Sequence, residues 1–187
     1  MSDRALIVVD IQNDYFPGGR WPLVGVEAAA DNAAAVLAAA RAAGDLVVFI
    51  RHEFPDAATA PFFAPGSDGA AIHPKVANRA DEPVVVKQEV NAFKGTDLKA
   101  ILDGKGIAKV TVLGSMSHMC VDAATRAASD FGYAVTLIHD ACATHDLAFG
   151  GVEVPAASVH AAFMEALGSY ATVISAAEYL AAPAEAA

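Results

Sequence analysis

Val112-Leu113-Gly114-Ser115-Met116-Ser117-His118-Met119-Cys120-Val121-Asp122 is the stretch on which the fold turns. An aliphatic run enters a glycine, then a short Ser/His/Met turn and a cysteine, and an alanine-rich segment from Asp122 to Phe131 follows at once. That order reads as strand, tight turn and helix, the building unit of a parallel α/β sheet. It puts Cys120 at a helix N-terminus, where unpaired amides and the positive dipole end favour an anion. Such a place helps to depress a thiol pKa and make a nucleophile. Taken alone, the stretch is equally consistent with a buried structural thiol, the common fate of a free cysteine.

The same alternation extends to both ends of the chain. Ala5 to Val9 is a continuous apolar run, the pattern of a strand covered on both faces, and it ends in Asp10. Residues Asp10 to Asp14 also offer several turn or cap candidates. Val26 to Ala43 reads as a helix stopped by Gly44, and Leu46 to Ile50 as a second strand leading to Arg51, His52 and Glu53. A proline- and glycine-rich segment then runs without periodicity to about Ile72, a length typical of lids and binding loops. Pro83 to Val86 is a third strand ending in Lys87, and Thr96 is placed to cap a helix from Asp97 to Leu102. Val110 to Leu113, Ala134 to Ile138 and Ala171 to Ile174 complete six strands, with a further helix from Ala156 to Leu167. The expected fold is a single doubly wound α/β domain with a parallel sheet flanked by helices, and residues 176–187 as a frayed tail.

Composition narrows the function. The formal net charge of -10 speaks against nucleic acid or an anionic membrane as partner, since both need a basic surface. No apolar run is long enough to span a bilayer. The N-terminus enters a strand directly and lacks the features of a signal peptide, so the expected location is cytoplasmic. Cys120 and Cys142 are read as free thiols, because a domain of 187 residues has little need of a disulfide.

Three different strand ends deliver Asp10, Lys87 and Cys120 to one edge of one sheet. A thiolate needs a neighbouring positive charge, and a carboxylate is suited to take the thiol proton and return it to a leaving group. The trio makes chemical sense as a unit. Leu6 to Phe16, then Val85-Val86-Lys87 with Asn91-Ala92-Phe93 and Gly95-Thr96, then Gly114 to Val121 together resemble the signature blocks of the isochorismatase-like cysteine hydrolases, in order and in spacing.

The resemblance implies a six-stranded parallel sheet and an Asp-Lys-Cys triad of Asp10, Lys87 and Cys120. It also implies a cis peptide at Ser115-Met116, with the amides of Met116 and Cys120 aimed at an oxyanion. Within the family, Cys120 favours an amide, ureide or carbamoyl substrate over a vinyl ether, because isochorismatases lack the nucleophilic cysteine. Ile50-Arg51-His52 lacks the aspartate of the nicotinamidase metal pair, and His73 and Asp56 match no known ligand spacing, so neither metal nor other cofactor is expected. Phe16, Trp21, Phe62, Phe63, Asn91, Phe93 and His118 are the candidates for the substrate pocket, since all lie in loops near the proposed edge. His139, His145 and His160 are read as structural or solvent-facing. The expected partner is a small-molecule substrate, with a homo-oligomer as in relatives and an alanine-rich surface at Ala33 to Ala43 as its contact. A non-catalytic role in binding, thiol redox sensing through Cys120 and Cys142, and vinyl ether hydrolysis are the alternatives.

Overall fold

The computed structural model describes residues 2–182. Its elements in chain order are β1 (Arg4–Val9), α1 (Val26–Ala43), β2 (Leu46–His52), β3 (Val84–Lys87), α2 (Leu98–Gly104), β4 (Lys109–Ser115), α3 (Cys120–Asp130) and β5 (Ala134–Ala143). They continue as β6 (Leu147–Phe149), β7 (Val152–Val154), α4 (Ala156–Leu167), β8 (Thr172–Ile174) and α5 (Ala176–Ala181). Six strands form one parallel sheet in the order β3-β2-β1-β4-β5-β8, and β6 and β7 form a separate antiparallel hairpin.

The apolar runs occupy the sheet because both of its faces are covered. Leu6 and Val8 of β1 point into one core with α1 and α5, while Ala5, Ile7 and Val9 point into another with α2, α3 and α4. The alanines of α1 let it lie close to the sheet: Ala33, Val36, Leu37 and Ala40 are buried in that first core. Much of the segment expected to meet a partner is therefore spent inside the chain. Gly44 closes α1 with a φ of +74°, its N–H shared between the carbonyls of Ala40 and Arg41.

Some element bounds differ from those read in the sequence. β2 runs two residues further, through Arg51 to His52, because β3 pairs with it to the register His52↔Lys87. β5 is extended to Ala143 by a register shift against β4 between Val112 and Gly114. α2 starts at Leu98, although the Thr96 hydroxyl still accepts from Leu98 N at 3.3 Å. The expected frayed tail is corrected in part. Residues 176–181 form α5, held by a capping box between Ser175 and Glu178 and by the buried Ala176 and Tyr179. Residues 183–187 lie outside the described residues.

Strand order reverses between β1 and β4, each of which has a neighbour leading away from it to the opposite edge of the sheet. Ligands of open α/β sheets bind outside the carboxyl ends of strands at such a switch point. Asp10 leaves β1 and Cys120 follows β4 on the two sides of it. No helix among the described residues is long and apolar enough to cross a membrane.

Candidate active site

Asp10, Lys87 and Cys120 meet where β1, β3 and α3 converge. The Lys87 ammonium lies 2.8 Å from Asp10 Oδ2 and 3.2 Å from Cys120 Sγ, and its side chain is completely buried. Asp10 follows the last residue of β1 with a φ of +47°, a left-handed conformation that aspartate tolerates better than most residues, and its N–H donates to Ile50 O. Its carboxylate takes the ammonium as an ion pair, and neither oxygen receives a well-directed hydrogen bond. Cys120 is the first residue of α3, so its amide belongs to the unpaired first turn of that helix. The peptide Ser115-Met116 at the entry of the turn is cis.

Burial governs the charges here. It pushes the Cys120 thiol up to about 12, with the Asp10 charge adding to the effect and Lys87 opposing it. Desolvation and the neighbouring carboxylate thus oppose the thiolate that the lysine and the helix end favour. For Lys87 burial opposes the charge, yet Asp10 and then Cys120 outweigh it and hold the ammonium above its usual range. At neutral pH the group rests as thiol and ammonium beside Asp10.

The sequence reading left out a fourth member. His52 Nδ1 lies 2.9 Å from Lys87 Nζ, so the ammonium hydrogen-bonds His52 and Cys120 and faces Asp10 as an ion pair. Burial first, and then the Lys87 charge, lower His52 to about 4, so its ring is neutral. In the unfolded chain a histidine titrates near 6.5, so between those values the unfolded state binds the extra proton and stability falls as the pH drops. His73, His118 and His160 are lowered by burial in the same sense. The His52 contribution alone is of order 3 kcal/mol, and should appear as a falling urea midpoint between pH 7 and 4. A midpoint that is flat or rises on acidification would contradict it.

Asp10, His52 and Cys120 also bring donor atoms within 4.8 Å of one another, a set that could hold a metal ion. The Lys87 ammonium, however, stands within hydrogen-bonding distance of all three side chains and already supplies the cation of the cluster. The donors therefore suit a metal poorly. His73 and Asp56 do not join them: His73 stacks on Phe16 with ring centroids 3.6 Å apart, and Asp56 caps Ala58 N and the Thr59 hydroxyl.

Among the pocket candidates, Trp21, Phe62 and His118 share one continuous array of rings. Trp21 touches Phe62 at 5.1 Å and His145 at 5.6 Å, and His145 touches His118 at 5.4 Å. From Phe62 the array passes through Phe54 to His52, beside the ammonium. His145, read as structural or solvent-facing, is half-buried and joins this array. Phe63 is completely buried beneath it, against Tyr15. Phe16 is turned onto His73, and the Asn91 side chain accepts from Phe93 N in a local turn. Phe93 is a clear correction. Its ring packs with Phe131 and Tyr133, next to the first residue of β5 and hence at the opposite edge of the sheet. His160 is part of the nucleophile turn's support, its Nδ1 2.9 Å from the hydroxyl of the buried Ser117. Cys142 is a buried free thiol that donates to Ile138 O.

Three further residues have roles that depend on distant loops: Tyr15, in a loop read from the sequence as able to line a pocket, and Gln12 and Asp14, read only as turn or cap candidates. The phenol of buried Tyr15 is raised well above its usual range by burial and by the Asp10 and Cys120 charges, which places it at the site. Gln12 is completely buried, donates to His52 O and Ala70 O, and accepts from His52 N. Asp14 accepts from Phe63 N at 2.6 Å and from Arg20 N at 3.1 Å, and so ties both aromatic loops to the turn after β1. Replacing Asp14 with alanine leaves two amides without their acceptor and should cost about 2–4 kcal/mol. A urea midpoint within error of the parent protein would refute this.

The isochorismatase domain family matches residues 4–178. The chain belongs to the isochorismatase family. It is 45% identical over 170 residues to the Bacillus subtilis isochorismatase family protein YddQ, covering 90% of this chain and 94% of that one. A streptothricin hydrolase of Streptomyces noursei is 39% identical over 147 residues, which span 77% of this chain and 51% of the relative. A crystal structure of an isochorismatase hydrolase from Oleispira antarctica superposes with a TM-score of 0.92 at 55% identity, covering 96% of both chains. This isochorismatase-family chain is accordingly a hydrolase with the six-stranded sheet of its relatives.

Proposed function

We propose that the chain is a cysteine-dependent hydrolase that cleaves the C–N bond of a small amide, ureide or carbamoyl compound through a thioester. The observation that carries this reading is the buried Lys87 ammonium in contact with both Asp10 and Cys120. Relatives named as amidohydrolases, one for ureidoacrylate and one for maleamate, support the choice of bond.

The raised thiol pKa sets the order of events. Asp10, whose oxygens lack a directed donor, takes the Cys120 proton as sulfur bonds to the carbonyl carbon, so the thiolate never accumulates at rest. Lys87 stays charged and compensates the negative charge that moves from carboxylate to sulfur and on to the carbonyl oxygen. The amides of Met116 and Cys120 receive that oxyanion. Asp10 then gives its proton to the leaving nitrogen as the C–N bond breaks. Water, deprotonated by Asp10, cleaves the thioester, and the proton returns to sulfur as the acid departs.

The test is a panel of small amides, ureides, biuret, maleamate and nicotinamide, followed by ammonia or amine release and by rapid-quench mass spectrometry. At least one compound should release product and leave an acyl group on the Cys120 peptide. No product and no adduct across the panel, from folded protein, would overturn the reading.

A further inference from the structure

We propose that His52 is a positioning residue: by accepting a hydrogen bond at Nδ1 it orients the Lys87 ammonium so that one of its protons is directed at Cys120 Sγ. This rests on the reading of Lys87 as the charge partner of the nucleophile. The ammonium has three protons and three neighbours, Asp10 Oδ2 at 2.8 Å, His52 Nδ1 at 2.9 Å and Cys120 Sγ at 3.2 Å. A fully buried lysine at the end of a flexible stem needs every proton occupied to hold one rotamer. Asp10 is the ion-pair partner, His52 the strong neutral acceptor, and sulfur the weak one. Without the imidazole, one buried proton would lose its acceptor, and the ammonium would turn towards the free Asp10 oxygen rather than towards sulfur.

The surroundings of His52 suit this purpose. Adjacent parallel strands place it directly opposite Lys87 in register. Its backbone is clamped on both sides by the buried Gln12 side chain, two residues beyond Asp10, at 2.8 and 2.9 Å. The ring rests edge-on against Phe54 at 5.0 Å. An ammonium only donates. With Nδ1 facing Lys87, the neutral ring must carry its proton on Nε2. Asp10, Lys87, Cys120 and Glu89 are the charged or titratable groups that face it.

The experiment measures the rate of Cys120 alkylation by iodoacetamide across pH in the parent protein, His52→Leu and His52→Asn. Leucine fills a similar volume without an acceptor, whereas the asparagine side-chain oxygen can occupy the Nδ1 position. His52→Leu should slow alkylation by about 10- to 100-fold at pH 8 and shift its pH profile upward, while His52→Asn should restore the rate to within about threefold. Equal losses in both variants would mean that the ring serves packing alone. An unchanged profile in folded His52→Leu would overturn the proposal. Should either variant fail to fold, nitrogen NMR of the parent protein decides: the Nε2-protonated neutral tautomer is expected, and an Nδ1-protonated ring would refute the assignment. Neither readout requires hydrolysis of an amide, so a failed substrate panel and a failed His52 test are separate results.

Discussion

Replacing Cys120 with alanine is expected to lower turnover of any amide substrate by about 10⁵-fold or more, because the proposed mechanism carries the acyl group on its sulfur. The fold should barely notice. Sulfur is the weakest partner of the Lys87 ammonium, and Asp10 and His52 remain in place, so the stability change should stay near 1 kcal/mol. Asp10→Asn offers the contrast. It removes the proposed base and the counter-charge together, leaving a buried ammonium without its carboxylate, and should cost about 3–5 kcal/mol besides abolishing turnover. Product release and urea midpoints measured on both variants separate the two effects. Turnover of Cys120→Ala within about tenfold of the parent protein would remove Cys120 from the mechanism, since nucleophile losses are far larger.

Replacing Gly114 with alanine should be the most damaging single methyl group in the protein. Gly114 lies in β4, paired with Val9 of β1, and has a φ of +128°, which side-chain-bearing residues rarely adopt. A Cβ at this point would overlap the Val9 carbonyl oxygen, a backbone atom that cannot swing aside. Either β1 and β4 separate or the backbone rotates into a region that breaks their hydrogen bonds. Both responses act on the switch point, one residue from Asp10 and one turn from Cys120. The expected loss is about 4 kcal/mol or more, enough to bring a domain of ordinary stability close to unfolding. Chemical denaturation of Gly114→Ala checks this, and a midpoint equal to that of the parent would show that the strands yield freely.

The strand ends were legible in the sequence because a parallel sheet buried on both faces writes each strand as an unbroken apolar run, and a charged residue after such a run is conspicuous. Asp10 and Lys87 could be found in that way, and Cys120 from the strand-turn-helix order around it. His52 was placed at the same edge but could not be assigned to Lys87, because a histidine two residues past an apolar run looks like the start of a loop. Only the pairing of β3 with β2 makes it a strand residue facing Lys87. The aromatic array was half visible for the same reason. Trp21 and Phe62 are drawn together by Asp14, whose carboxylate reaches across 49 residues to Phe63 N, and no local pattern announces that bond. Phe93 went to the opposite edge because proximity in sequence to Lys87 says nothing about which way the following loop runs.

By itself, then, the sequence determined the layered α/β class and the three residue types at the strand ends, since both follow from hydrophobic periodicity and its punctuation. Tertiary structure alone decided the protonation state of those residues. Burial raises the Cys120 thiol, while the neighbouring Asp10 carboxylate holds Lys87 protonated against the same burial. Desolvation and close charge pairs depend on what surrounds a group in space, and a linear order of residues contains neither quantity.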